Sequence, residues 1–340
     1  MLQPLLSRLF GQSLDWLQVE VTSCCNAHCA YCPRTVYRRS WRNRHLALET
    51  FRLLVPDLKR VSLVYLQGWG EPFLNPDFFT FVALAKQAGC RVGATTNGTL
   101  FTEALIAQVV ESGMDVVAFS LAGCGDTHDV WRQGTRFTHV LEAIRALQEY
   151  KRRSGKSAPE VHVAYLLLRS GLPDLEQLPE ALRGLGISQV VISTLDLVAA
   201  PELEVEALAW ASPREYAEIT ARLEEVAARC ARQGLALHYP RPPSGPKSPT
   251  CPENVQNALV VSAEGDVSPC VFTNVPVTGV SHCYHGGQYP LQPLIWGNVQ
   301  DHSLQEIWRQ PAYVGFRASF QRGSPLLSCQ HCLKLNAPRA

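Results

Sequence analysis

Cys25, Cys29 and Cys32 stand in the run Thr22-Ser23-Cys24-Cys25-Asn26-Ala27-His28-Cys29-Ala30-Tyr31-Cys32-Pro33, directly after an apolar strand pattern. Three thiolates at Cys-x3-Cys-x2-Cys spacing can converge on one face of a cuboidal [4Fe-4S] cluster, whose irons prefer soft sulfur ligands. A cubane has four irons, and only three ligands are local. The remaining iron is open to something other than protein, and an open coordination position is where metal chemistry takes place. Zinc is the competing reading, but a closed zinc site takes four protein ligands. Neither a fourth ligating Cys nor a suitably spaced His accompanies the three, although Cys24 leaves Cys24-x4-Cys29 as a second register. A disulfide scaffold suits this chain poorly, because 340 residues bury a core without staples.

A second set lies near the other end: Cys251, then Gly265-Asp266-Val267-Ser268-Pro269-Cys270, then Cys329-Gln330-His331-Cys332. Four such thiolates saturate one cluster, and an all-thiolate zinc site is the alternative. Cys283, between His282 and Tyr284, is a spare. Cys90, Cys124 and Cys230 read as ordinary buried thiols.

The elements that must position these residues follow from hydrophobic periodicity. Strand patterns cover residues 16–22, 61–67, 91–95, 115–120, 161–168 and 189–195. Helical patterns cover 48–58, 76–88 with Asn75 as N-cap, 102–112, 136–151 and 175–185. Six apolar strands alternating with helices imply an α/β fold with a parallel sheet, either doubly wound or closed into a full or partial barrel. A helix over 213–233 follows, and then five prolines fall within residues 239–249. Proline at that density blocks helix and ladder alike. Residues 239–250 therefore read as a linker between a domain at 1–238 and a smaller one at 251–340. The smaller domain shows a hairpin, 257–262 with 266–272, and a helical pattern over 303–320 broken at Pro311.

Ligands of parallel α/β domains gather at the carboxyl ends of the strands. There the chain carries Gly68-Trp69-Gly70-Glu71-Pro72, whose glycines admit close backbone approach and whose Glu71 accepts from N–H donors. The turn Thr96-Asn97-Gly98-Thr99 ends the third strand, and Ser120-Leu121-Ala122-Gly123 ends the fourth. Arg132 lies shortly beyond. Five arginines, interleaved with Tyr37 and Trp41, occupy residues 34–45 next to the cysteine loop. They read either as a solvated face or as guanidiniums that grip a substrate carboxylate or phosphate.

With these motifs in view, the chain resembles the radical S-adenosylmethionine (SAM) enzymes carrying a carboxyl-terminal SPASM/Twitch-type auxiliary domain. The resemblance runs from Trp16 to Cys332. It implies a partial (β/α)6 TIM-like barrel followed by a small α+β domain. It implies that the open iron of the first cluster chelates SAM. Gly70, Glu71 and Pro72 correspond to the Gly-Gly-Glu-Pro turn that holds the SAM amino group, with Trp69 replacing the first glycine of the pair. Asn97, Ser120 and Arg132 correspond to further SAM contacts, and Ala122 replaces an aspartate that relatives often carry. Cys251, Cys270, Cys329 and Cys332 correspond to the ligands of one auxiliary [4Fe-4S] cluster, short of the full seven-cysteine pattern.

The activity so implied is reductive cleavage of SAM to methionine and a 5′-deoxyadenosyl radical, which abstracts hydrogen from a substrate. The auxiliary cluster then serves as electron acceptor, and a ferredoxin or flavodoxin serves as reductant. A peptide, protein, cofactor precursor or small anionic molecule is the expected substrate. Only about 15 residues precede the first strand, too few to form a leader-binding domain. A maturase for a tungsten or molybdenum oxidoreductase is one alternative, and a non-catalytic iron–sulfur electron relay is the other.

Composition bounds the rest. Apolar residues make up 46% of the chain, charged residues 18%, and the net charge is +1, which lacks the basic footprint of nucleic-acid binding. No run approaches a transmembrane span and no secretory signal opens the chain. Twelve cysteines without such a signal point to a reducing cytoplasm and to metal ligation.

Overall fold

In the computed structural model, which describes residues 14–240, 251–326, 329 and 331–335, the alternation of short apolar strands and helices builds a parallel sheet. Its strands are β1 (Leu14–Val19), β2 (Val61–Leu66), β3 (Arg91–Thr96), β4 (Val116–Leu121), β5 (Glu160–Leu167) and β6 (Gln189–Thr194). Each pairs in parallel with the next, from Leu14 opposite Val61 to Leu167 opposite Thr194. A parallel step needs a crossover. The helices that supply these are α1 (Pro33–Val36), α2 (Leu48–Leu58), α3 (Phe78–Gln87), α4 (Glu103–Glu111), α5 (Asp126–Trp131), α6 (Phe137–Ser154) and α7 (Leu178–Ala181).

One face of each strand packs on these helices. Leu17, Val64, Val92, Val117 and Val163 are fully buried against Phe51, Leu54, Phe81, Val109 and Ile144. Truncating such a side chain, Phe81→Ala for example, costs about 3–5 kcal/mol. The alternate strand positions Trp16, Gln18, Tyr65, Thr95 and Ser120 are only partly buried. Because successive strand residues point to opposite faces, these line the inner, concave side.

Among the described residues the sheet does not close on itself. Beyond β6 lies β7 (Ala236–His238), and on the other edge β1 pairs in parallel with β8 (Ala258–Val261). That edge continues antiparallel through β9 (Asp266–Ser268) to β12 (Gly297–Asn298), giving one ten-stranded sheet. A separate hairpin joins β10 (Ser281–Tyr284) to β11 (Gly287–Pro290). The fold is thus a parallel α/β half-barrel whose open edge is extended by strands of the carboxyl-terminal region. Helix α8 (Pro213–Ala231) is N-capped by Ser212, whose side chain accepts from the Glu215 N–H. The proline-rich residues 241–250 lie outside the described residues.

Three local expectations change. Residues 175–185 do not form one helix: a 3-10 segment Arg169–Glu176 leads into the four-residue α7. Pro173 and Pro179 each remove an N–H donor there. Asn75 is not an N-cap but a bracket, donating to the Val21 and Leu46 carbonyls and accepting from the Asp77 N–H. Among the interleaved arginines, Arg42 and Arg44 face Glu264 at 3.3 and 3.9 Å, so part of that run fastens the two cysteine regions together. The break at Pro311 appears as expected, separating α9 (Leu304–Arg309) from α10 (Pro311–Gln321). Ser303 and Glu306 form a capping box at the start of α9.

Candidate metal and cofactor sites

The cysteine loop leaves the carboxyl end of β1 and is pinned on both sides. Its His28 and Ala30 N–H groups donate to the Gln133 and Trp131 carbonyls. On the other flank the Gly70 and Glu71 N–H groups donate to the Thr22 and Cys24 carbonyls at 3.1 and 2.8 Å. A Cβ on Gly70 would sit 2.4 and 2.3 Å from those two carbonyl oxygens, closer than any side chain tolerates. The glycine is required by approach of backbone to backbone. Gly68 is excluded from bearing a side chain for a related reason: its Cβ would fall 2.2 Å from the Glu20 side chain.

Within the loop, Cys29 raises the cost of ionising Cys25, and both raise that of ionising Cys32. Burial first, then Cys29, pushes Cys32 up to about 12, and burial raises Cys25 as well. A metal takes such thiols as thiolates, so binding one here would release protons.

Around them stand the residues singled out from the strand ends. Glu71 is 2% exposed. Its two oxygens accept from the Thr96 hydroxyl and the Asn97 N–H, both at 2.7 Å. Burial nevertheless pushes its pKa up to about 7. Pro72 opens the short 3-10 turn that follows. The Asn97 amide donates to Asn26 at 2.8 Å, and Thr99 accepts from Asn26 at 2.7 Å, tying the β3 turn to the cysteine loop. Ser120 lies half-buried on β4 between the buried Phe119 and Leu121.

Arg132 is buried, with one guanidinium nitrogen 2.6 Å from the Tyr31 hydroxyl. Burial works against its charge, but Tyr31, Cys29 and Cys25 outweigh that and raise its pKa. Its Nε is buried without a partner, which suits a bound carboxylate. Periodicity did not reveal what aims this arginine. Fully buried His128 accepts the Ala122 N–H on Nδ1 and reaches the Thr135 hydroxyl from Nε2, while that hydroxyl donates to the Arg132 carbonyl. This arrangement needs the neutral ring, and burial depresses its pKa to about 3. At Ala122, where an aspartate was expected from relatives, a carboxylate still reaches the turn from elsewhere: Asp174 accepts the Cys124 N–H at 2.9 Å.

Trp69 has a structural role. It packs edge-on to Trp41 and against Phe272, both with centroids 6.2 Å away, so the indole bridges the first cysteine loop and the carboxyl-terminal region.

The second set gathers at that region. Cys251, Cys270, Cys329 and Cys332 all line one cavity of about 310 Å³. Burial pushes Cys251 and Cys329 up to about 12 and raises Cys270 and Cys332 too, with Cys270 and Cys251 adding to the effect on the last loop. The donor set suits an iron–sulfur cluster, and a four-thiolate zinc site takes the same donors. The Asn298 amide donates to the Glu264 carbonyl and to Asp266, holding the hairpin that delivers Cys270. Cys283 is a buried residue of β10 and does not line this cavity. All twelve cysteines are free thiols.

Residues 19–193 match the Radical SAM superfamily, and residues 251–333 match the SPASM iron–sulfur cluster-binding domain. A tungsten-containing aldehyde ferredoxin oxidoreductase cofactor-modifying protein of Pyrococcus furiosus is 26% identical over 314 residues, which is 89% of this chain and 83% of that one. Fe-coproporphyrin III synthase of Methanosarcina barkeri is 32% identical over 131 residues, a likeness confined to 38% of this chain and 33% of that one. The crystal structure of Streptococcus suis SuiB bound to S-adenosylmethionine superposes with a TM-score of 0.70 at 13% identity. It covers 98% of this chain and 74% of that one, a likeness of fold.

Proposed function

The chain belongs to the radical SAM superfamily and carries a SPASM domain, and from that premise we propose that Cys25, Cys29 and Cys32 hold the SAM-binding [4Fe-4S] cluster. Cys251, Cys270, Cys329 and Cys332 hold one auxiliary cluster. Reduced by a carrier of the ferredoxin or flavodoxin type, the first cluster supplies the electron that splits SAM into methionine and a 5′-deoxyadenosyl radical, which takes hydrogen from substrate. Arg132 pairs with the SAM carboxylate, and Glu71, Gly70 and Asn97 line the amino end. Ser120, on the concave face, faces the nucleoside. The observation that carries this reading is the orphaned Nε of Arg132, buried beside the cysteine loop, where its guanidinium donates to the Tyr31 hydroxyl.

A cluster held by Cys251, Cys270, Cys329 and Cys332 would accept one electron from the substrate radical as a proton leaves to solvent, making the net change an oxidation. We infer that the substrate is a cofactor precursor, in keeping with the cofactor-modifying relative that spans most of the chain. Arg38 and Arg39, exposed beside the cysteine loop, would suit a phosphorylated one. Twelve free thiols fit a reducing compartment, the cytoplasm. Among the described residues no helix is long and apolar enough to cross a membrane.

Anaerobic reconstitution with iron, sulfide, SAM and dithionite tests the activity. Release of 5′-deoxyadenosine and methionine is expected, and a fully loaded protein that releases neither would be an electron relay instead. For the substrate, loaded enzyme is incubated in parallel with phosphorylated pterins and with peptides. Mass loss of two hydrogens confined to the peptides would overturn the cofactor reading.

A further inference from the structure

Three charges meet beside the second cysteine set. Lys334 Nζ lies 2.7 Å from Glu253 and 3.1 Å from Asp196. The side chains are 15%, 23% and 9% exposed, in that order, and all three line the cavity that Cys251, Cys270, Cys329 and Cys332 share. Lysine is seldom buried this far without a partner. Here it has two. Glu253 stands two residues after Cys251, Lys334 two residues after Cys332, and Asp196 just past the end of β6, held by the Thr194 hydroxyl at 2.7 Å. The ammonium is therefore fixed by one ligand loop and by the barrel, while its own backbone N–H donates toward the Cys332 sulfur.

A cluster held by four thiolates is anionic, and taking up an electron makes it more so. A fixed cation nearby stabilises the reduced form more than the oxidised form, and a fixed anion does the opposite. We propose that Lys334 is the counter-charge of the auxiliary cluster, a positioning residue for electron transfer whose ammonium raises the cluster's midpoint potential. The carboxylates of Glu253 and Asp196 lower that potential while holding the ammonium in place. With Lys334 the triad carries one net negative charge, and without it two. The lysine thereby eases passage of the electron from the substrate radical. This rests on the reading that the second cysteine set holds a cluster.

The test uses the full chain with Cys25→Ala, Cys29→Ala and Cys32→Ala, so that only the second site loads, in an electron-paramagnetic-resonance redox titration. Lys334→Met is expected to lower the one-electron reduction constant at least tenfold, which is about 59 mV. Lys334→Arg should stay within threefold of the parent, and Glu253→Gln should raise the constant at least threefold. A purely structural triad would not give shifts of opposite sign. If Lys334→Met fails to load, the Glu253→Gln arm decides: a rise supports the assignment, and no rise or a fall overturns it. Both variants moving the same way, or neither moving threefold, also overturns it. Should the triple-alanine parent itself bind no iron, the cluster reading falls and this inference falls with it.

Discussion

The Glu20 carboxylate, buried at the end of β1, accepts the Trp69 backbone N–H at 2.9 Å. Its second oxygen accepts the Ala263 N–H of the β8–β9 turn at 3.1 Å. One side chain thus fastens the glycine-rich turn of the first site to the hairpin that carries Cys270. Burial raises its pKa, and the two N–H donors work in the opposite direction. Its place between Val19 and Val21, a carboxylate inside an apolar strand end, was the only hint in the sequence.

Replacing Glu20 with Ala leaves two buried N–H groups without acceptors, at about 1–3 kcal/mol each. A loss of about 2–4 kcal/mol in urea unfolding is expected. An unchanged midpoint would mean that water satisfies both donors.

Gly70→Ala sets a methyl against two backbone carbonyls that cannot rotate away. Overpacking of this kind costs about 1–3 kcal/mol, and relief requires the cysteine loop to move. Iron per reconstituted chain should fall from about eight to about four, the second cluster surviving. Full iron retention would show that the turn yields instead.

Glu71 titrates near 7 in the folded chain because burial disfavours its charge, against 4.5 as its ordinary value. A carboxyl whose folded pKa is raised contributes stability at low pH, fully present below 4.5 and lost as pH rises through 7. At 1.36 kcal/mol per pKa unit this is on the order of 3 kcal/mol. For the SAM-free protein, the wild type minus Glu71→Gln stability difference should therefore fall between pH 4.5 and 7.5 and level off above. Urea unfolding across that range measures it, and a flat difference would contradict the burial argument.

Cys29→Ala and Cys270→Ala should separate the two sites. The first is expected to abolish 5′-deoxyadenosine formation, by at least a hundredfold, because the local ligand set is broken. The second should leave SAM cleavage within about tenfold of wild type while product formation fails. Full product turnover by the Cys270 variant would remove the auxiliary cluster from the reaction.

Much of this molecule was legible from residue order. The Cys25-x3-Cys29-x2-Cys32 loop, the strand–helix alternation, the break at Pro311 and the Gly70-Glu71-Pro72 turn depend on spacings of a few residues, where chain geometry alone brings groups together. Helix 175–185 was misjudged because apolar spacing outweighed Pro179, whose missing donor interrupts a helix begun at 175 and allows one to start only at Leu178. What needed the tertiary structure is every relation spanning the chain: Arg132 on Tyr31, Glu20 on Ala263, Lys334 on Asp196. Pairing of β8 with β1 makes the second cysteine region an extension of the barrel's own sheet, which no local pattern encodes. The reason is physical. A ligand spacing is written in covalent geometry, whereas the partner of a buried charge is chosen only when distant segments are desolvated together, and an isolated Glu, Lys or His looks the same in sequence whether it meets water or its counterpart.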